Sequence, residues 1–183
     1  GMFDVIATQG DNLLGGSDFT KVIMNDILAD FRKENEFYKL EENILKNNLS
    51  KLKDISNKFK CNLVDKVVIK NFYNDDNNNI NLDLEYRKKR YEITNLFSDL
   101  INRIENHLQI ILSSSNLSKD QIDYILLVGG STKLLEIRNF VASYFNKDPI
   151  YNINPDTVVS IGAAIQGFSL NNPTNLFSTN LAL

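Results

Sequence analysis

One cysteine, one histidine and no tryptophan stand among 183 residues. With Cys61 alone, no internal disulfide can form, which fits a reducing compartment. Neither Cys61 nor His107 has partners at metal-ligand spacing, so no metal centre is expected. His107 lies in a helical pattern and reads as a surface or boundary residue, since a catalytic role needs an orienting partner. No apolar run approaches the roughly 20 residues that span a bilayer. Gly1–Ile6 has neither the basic start nor the cleavage site of a signal peptide. Basic residues are not in excess: 20 Lys and Arg against 23 Asp and Glu give a net charge of −3. Nucleic acid and anionic membrane are therefore not expected partners. Glycine and proline are sparse, at eight and three, whereas asparagine occurs 26 times. Asparagine is itself a turn residue, so it blurs the turn signals. The hydrophobic fraction of 43% is that of an ordinary soluble globular protein, long enough for one domain or one lobe of a larger one.

What is present is a series of periodic segments. Residues 3–8 read as a short strand, followed by a turn-rich connection to Gly15-Gly16. Ser17 or Asp18 is expected to cap a helix whose stripe is Phe19, Val22, Ile23, Ile27, Leu28 and Phe31. Residues 37–61 read as a weaker helix with Leu40, Ile44, Leu45, Leu49, Leu52, Ile55 and Phe59 inward. Val67–Phe72 and Ile80–Tyr86 form a hairpin with a polar tip at Asn74–Asn79, the second strand alternating strictly between apolar and polar. The run Arg87-Lys88-Lys89-Arg90 reads as a solvated strand end. Thr94–Leu112 is one long helix with Leu96, Leu100, Ile101, Ile104, Leu108, Ile111 and Leu112 on one face. Ser118 and Gln121 make a capping box for a brief turn.

The richest stretch is Ile125-Leu-Leu-Val-Gly-Gly-Ser-Thr-Lys133. A continuous apolar run into two glycines is the pattern of a parallel strand covered on both faces, here 123–128. Without a Cβ, Gly129 and Gly130 let a ligand lie on the backbone, and the helix after them offers unpaired N–H groups to a phosphate. The same corner also serves packing alone. The following helix is expected to bury Leu135, Phe140, Val141 and Tyr144. Asn154-Pro155 then starts a helix through Val158–Ile165, whose Gly162, Ala163 and Ala164 allow close packing.

Three separated motifs, in order, carry a resemblance. Phe3-Asp-Val-Ile-Ala-Thr-Gln-Gly-Asp-Asn-Leu-Leu-Gly-Gly-Ser-Asp-Phe19 resembles the start of the second ATPase lobe of 70-kilodalton heat-shock chaperones of the DnaK type. Leu127–Lys133 is similar to that family's adenosine-contact turn, and Ile153–Gln166 resembles the segment that closes the domain. The resemblance spans residues 1–170 and implies an α/β fold, an actin-like, ribonuclease H-like ATPase lobe with an inserted α+β subdomain. It implies a nucleotide-binding subdomain at 1–16 and 93–170, an inserted lid at 17–92, and the start of an interdomain linker at 171–183. The phosphate-gripping turn, the first lobe with its catalytic lysine and metal-site acids, and the peptide-binding domain lie outside these residues. This chain alone is therefore not expected to hydrolyse ATP, nor to hold nucleotide tightly. ATP or ADP with Mg is the implied ligand of the whole protein.

Carried over residue by residue, Gly129, Gly130 and Ser131 match the adenosine turn. Lys133 stands where the family has an adenine-stacking arginine, keeping charge but losing the planar face. Asp156 matches an aspartate near the nucleoside, a position the helix dipole favours in any case. On the other wall, Lys60 falls on the ribose-contacting lysine. Asn57 replaces a glutamate, Cys61 a second stacking arginine and Val64 a serine. Each lost stacking cation costs roughly 0.5–2 kcal/mol of binding. The opening and the Asp156–Gln166 run are most similar to the bacterial branch specialised for iron–sulfur cluster assembly. The implied partners are the first lobe, the peptide-binding domain, a J-domain cochaperone, a nucleotide exchange factor and an iron–sulfur scaffold protein, and the implied compartment is the cytoplasm. The alternatives are a degenerate nucleotide-binding scaffold acting by partner docking, and a sugar or acetate kinase of the same fold.

Overall fold

The computed structural model describes residues 4–61, 64–150, 154 and 157–171. It is a mixed structure of helices and one two-stranded antiparallel sheet, in two compact units, residues 1–118 and 119–183. Among the described residues, no helix is long and apolar enough to cross a membrane.

In the first unit, α1 (Gly16–Glu34) and α3 (Leu49–Lys60) pack together, with the short α2 (Glu42–Lys46) between them in sequence. Helix α1 buries Phe19, Thr20, Ile23, Ile27 and Phe31, the i, i+4, i+8 row that its stripe foretold. Its N-cap is Gly15 rather than Ser17 or Asp18. Asp18 instead reaches back from the first turn and accepts from the Gly15 N–H at 2.8 Å. A carboxylate placed there also meets the positive end of the helix. The segment 37–61 is two helices, not one, and Leu49 faces solvent while Leu45, Leu52, Ile55 and Phe59 are buried.

Strands β1 (Lys66–Asp75) and β2 (Ile80–Arg87) make the hairpin, with Phe72, Tyr73, Leu84 and Tyr86 buried. The register slips between Ile69 and Tyr73, where a bulge forms at Asn71, φ +52°. Asp83 accepts from the Asn71 N–H at 2.9 Å and so ties the bulge down. At the tip, the buried Asp75 carboxylate accepts from the backbone of Asn77 and Asn78. The expected long helix is broken at Phe97 into α4 (Arg90–Leu96) and α5 (Ser98–Ser115). The break lets the fully buried Phe97 ring meet Phe19 edge-on, centroids 4.9 Å apart. Only Leu100 of the α5 stripe is buried; the rest is half-covered.

Among the described residues, the four non-glycine residues at positive φ are all asparagines: Asn71, Asn79, Asn116 and Asn146. Asn116 ends α5 and Asn146 ends α6 (Leu135–Phe145) in the left-handed conformation, with Leu117 and Lys147 N–H groups reaching back to Leu112 and Ala142 carbonyls. The chain thus uses asparagine where a glycine-richer one would use glycine.

The second unit holds a 3-10 turn at Lys119–Gln121, another at Gly130–Lys133, α6 (Leu135–Phe145) and α7 (Val158–Asn171). The expected strand 123–128 reduces to one parallel bridge, Leu126 with Ile150. Residues 4–8 form no strand. The reason is the same: among the described residues neither segment has a row of neighbouring strands. Val5 and Tyr124 are accordingly 80% and 81% exposed instead of covered on both faces. Helix α6 buries Leu134 just ahead of it, then Ile137, Val141 and Phe145. That face is rotated from the expected one, because Leu135 opens the helix on its solvent side and Phe140 and Tyr144 are only half-buried. Pro155 lies outside the described residues; α7 begins at Val158, whose N–H bonds the Asn154 carbonyl at 3.0 Å.

Candidate functional site

In the first unit the site residues gather where α3 ends beside the start of α1. The Lys60 ammonium donates to the Gly16 carbonyl at 3.0 Å and to Thr20 Oγ1 at 2.9 Å. The Thr20 hydroxyl lies 2.9 Å from Asn57 Oδ1 and 3.0 Å from the Gly16 carbonyl, and its single proton serves one of them at a time. Among the described residues, two of the three Lys60 N–H bonds are therefore engaged. Cys61 is the C-cap of α3 and is exposed; Val64 is half-buried. The structure thus brings Asn57 and Lys60 together and leaves Cys61 and Val64 outside their hydrogen-bond cluster.

Gly16 and Thr20 were missed as members of this cluster. The sequence marks Gly15-Gly16 only as a turn, and the pairing spans 37 to 44 residues, beyond any local pattern.

The connection leading to Gly15 is held from α5. Asp11 accepts from the Leu13 N–H at 2.8 Å and from Arg103 at 2.5 Å, and lies 3.5 Å from His107 Nε2. These donors, the Leu13 N–H foremost and Arg103 next, hold the Asp11 carboxyl below the usual range. Gln9 Nε2 donates to His107 Nδ1 at 3.2 Å, so a neutral ring with its proton on Nε2 satisfies both neighbours. His107 is a clasp on this connection.

In the second unit, Gly129 sits at φ +89° and ψ 158°, a region essentially confined to glycine. A Cβ there would meet nothing within 4 Å, so the backbone faces open space. The Gly129 carbonyl accepts from the Thr132 N–H at 3.1 Å and from the Thr132 hydroxyl at 2.7 Å. Arg138 Nε bonds the Thr132 carbonyl at 2.8 Å. The turn is therefore rigidly held with its glycine backbone bare. Ser131 is half-buried and Lys133 exposed on it. The helix expected from Leu134 to Phe145 is α6, and Gly130–Lys133 form a 3-10 turn between it and Gly129. Asp156 lies outside the described residues. Among the described residues no group of three or more His, Cys, Asp or Glu could hold a metal ion.

Comparison with known proteins gives these features a lineage. The chain is 34% identical over its whole length to the heat shock protein 70 homolog of Acanthamoeba polyphaga mimivirus, of which the match covers 19%. It is 38% identical, over 91% of its length, to the mitochondrial iron-sulfur cluster biogenesis chaperone of Saccharomyces cerevisiae, of which the match covers 25%. The chain thus spans about a fifth to a quarter of the length of these relatives. The model of the Hsp70 protein family matches residues 1–177, so the glycine turn, the α1–α3 cluster and α7 all fall within it, and the chain belongs to the Hsp70 family.

Proposed function

We propose that this chain is the second lobe of the nucleotide-binding domain of an Hsp70-type chaperone, actin-like in fold. In it, residues 1–16 and 93–170 form the nucleotide-binding subdomain, 17–92 the inserted lid, and 171–183 lead into the interdomain linker. The observation that carries this reading is the Gly129 turn, held in a glycine-only conformation with its backbone open, inside a family match that covers nearly the whole chain.

Within the second unit the chemistry suits the adenosine end of ADP or ATP: Gly129 and Gly130 offer bare backbone, Ser131 a hydroxyl and Lys133 a cation. Within the first unit, Lys60 is the residue the family resemblance assigns to the ribose. As the family resemblance implies, phosphate and metal chemistry falls to the first lobe, and hydrolysis rests on positioning there. In the whole protein, ATP turnover would drive binding and release of client peptide with a J-domain cochaperone and an exchange factor. The iron–sulfur relative supports a role in iron–sulfur protein maturation with a scaffold protein. The cytoplasm is the compartment of this reading, and the mitochondrial relative makes an organelle matrix its alternative.

A second reading, a degenerate ATPase kept as a scaffold that acts by partner docking, is favoured by one observation. Asn57, where the family has a glutamate, is within hydrogen-bonding distance of Thr20 inside the cluster. Calorimetric titration of ADP into this chain extended upstream through the first lobe, beside the chain alone, separates the two. Binding by the extended protein only is the expected result. Binding by neither supports the scaffold.

A further inference from the structure

The four basic residues at the end of β2 do not behave alike. Lys88 turns inward, and its ammonium lies 3.2 Å from both Asp26 and Asp30 of α1. Burial opposes its charge, but the hydrogen bonds to Asp30 and Asp26 outweigh it and raise its pKa above the usual lysine value. The chain is extended here, so Arg87 and Lys89 project to the opposite side, roughly 6–7 Å apart along the strand direction. Among the described residues no ion pair engages either of them. With Lys88, Arg90, Asp65 and Glu92 they line an open cleft of about 510 Å³. The Glu92 carboxylate is already committed to the Lys89 N–H at 2.8 Å.

We propose that this cleft docks an extended acidic peptide segment of a partner protein, with carboxylates two residues apart meeting Arg87 and Lys89. The spacing of the two cations is that of alternate residues on one strand face, which a partner strand presents in kind. A chain of net charge −3 repels a long polyanion as a whole, which favours a short acidic peptide over nucleic acid. The cleft is remote in sequence from the glycine turn, and the proposal stands whether or not the nucleotide reading does.

The test is fluorescence anisotropy of a fluorescein-labelled octapeptide of alternating Glu and Ser, titrated with the full chain. Saturable binding that weakens with salt is expected, with about tenfold loss in Arg87→Glu/Lys89→Glu and no change in the exposed control Lys53→Glu. The milder Arg87→Gln/Lys89→Gln variant, its fold checked by circular dichroism, should lose about threefold. Equal binding by wild type and either double variant would overturn the proposal. So would complete displacement by inorganic phosphate at matched ionic strength, or tighter binding of a single-stranded oligonucleotide.

Discussion

The two units bury their apolar residues very differently. The first packs Phe19, Phe31, Phe59, Phe72, Phe97 and Tyr86 to 2% exposure or less, three of the ring pairs edge-to-face at 4.9 Å. The second buries mainly Leu134, Ile137, Val141 and Phe145, while Tyr124, Val159 and Phe168 face solvent. Helix α7 carries no charged residue from Val158 to Asn171, yet its described side chains are largely exposed. A helix apolar around much of its girth is built to be covered. The first unit therefore holds its own core, whereas the second keeps its definition in one rigid turn and one helix.

The largest test of that contrast is a pair of truncations. Phe97→Ala removes a fully buried ring and should cost about 3–5 kcal/mol. Phe168→Ala, at 64% exposure, should change stability by about 0.5 kcal/mol or less. Urea unfolding of both variants checks this, and comparable losses would break the comparison. Next in size is Gly129→Ala. The added Cβ meets nothing, so its cost is backbone strain alone, about 1–3 kcal/mol, read in the same unfolding experiment. Lys88→Met is smaller. It leaves Asp26 and Asp30 facing each other in a half-buried position, for about 1 kcal/mol, which Asp26→Asn in the same chain should partly restore.

Acid gives the gentlest probe. Asp11, Asp18, Asp75 and Asp83 all have carboxyl pKa values lowered by donors, the largest being the Leu13 N–H, the Gly15 N–H, Asn78 and Lys70 respectively. A lowered carboxyl pKa stabilises above its unfolded value, near 4, and that contribution is lost as pH falls through the folded value. Urea midpoints should therefore hold from neutral pH down to about 5 and decline below about 4. Asp75→Asn should flatten that decline slightly.

Periodicity made α1, the hairpin and most of the inner face of α3 legible, because Phe19, Ile23, Ile27, Phe31, Leu52, Phe59, Leu84 and Tyr86 are buried within the first unit. The strands 3–8 and 123–128 were read too strongly, since an apolar run announces a covered strand but not whether neighbours are there to cover it. The Phe97 break was invisible because the apolar spacing runs through it unbroken; only the Phe19 contact explains it. The glycine corner was legible from the apolar run into Gly129-Gly130, but the positive φ of Gly129 was not read from it. The link of Lys60 to Gly16 and Thr20 was not, since it depends on how α3 meets α1.

That link carries the central claim and can be tested by one measurement: the ADP dissociation constant of the upstream-extended protein with Lys60 and with Lys60→Met. A charged hydrogen bond to nucleotide predicts at least about tenfold weaker binding, measured where a urea titration shows the variant still folded, since it also loses the bonds to Gly16 and Thr20. Equal affinity would contradict the account and leave Lys60 a structural tie between α3 and α1.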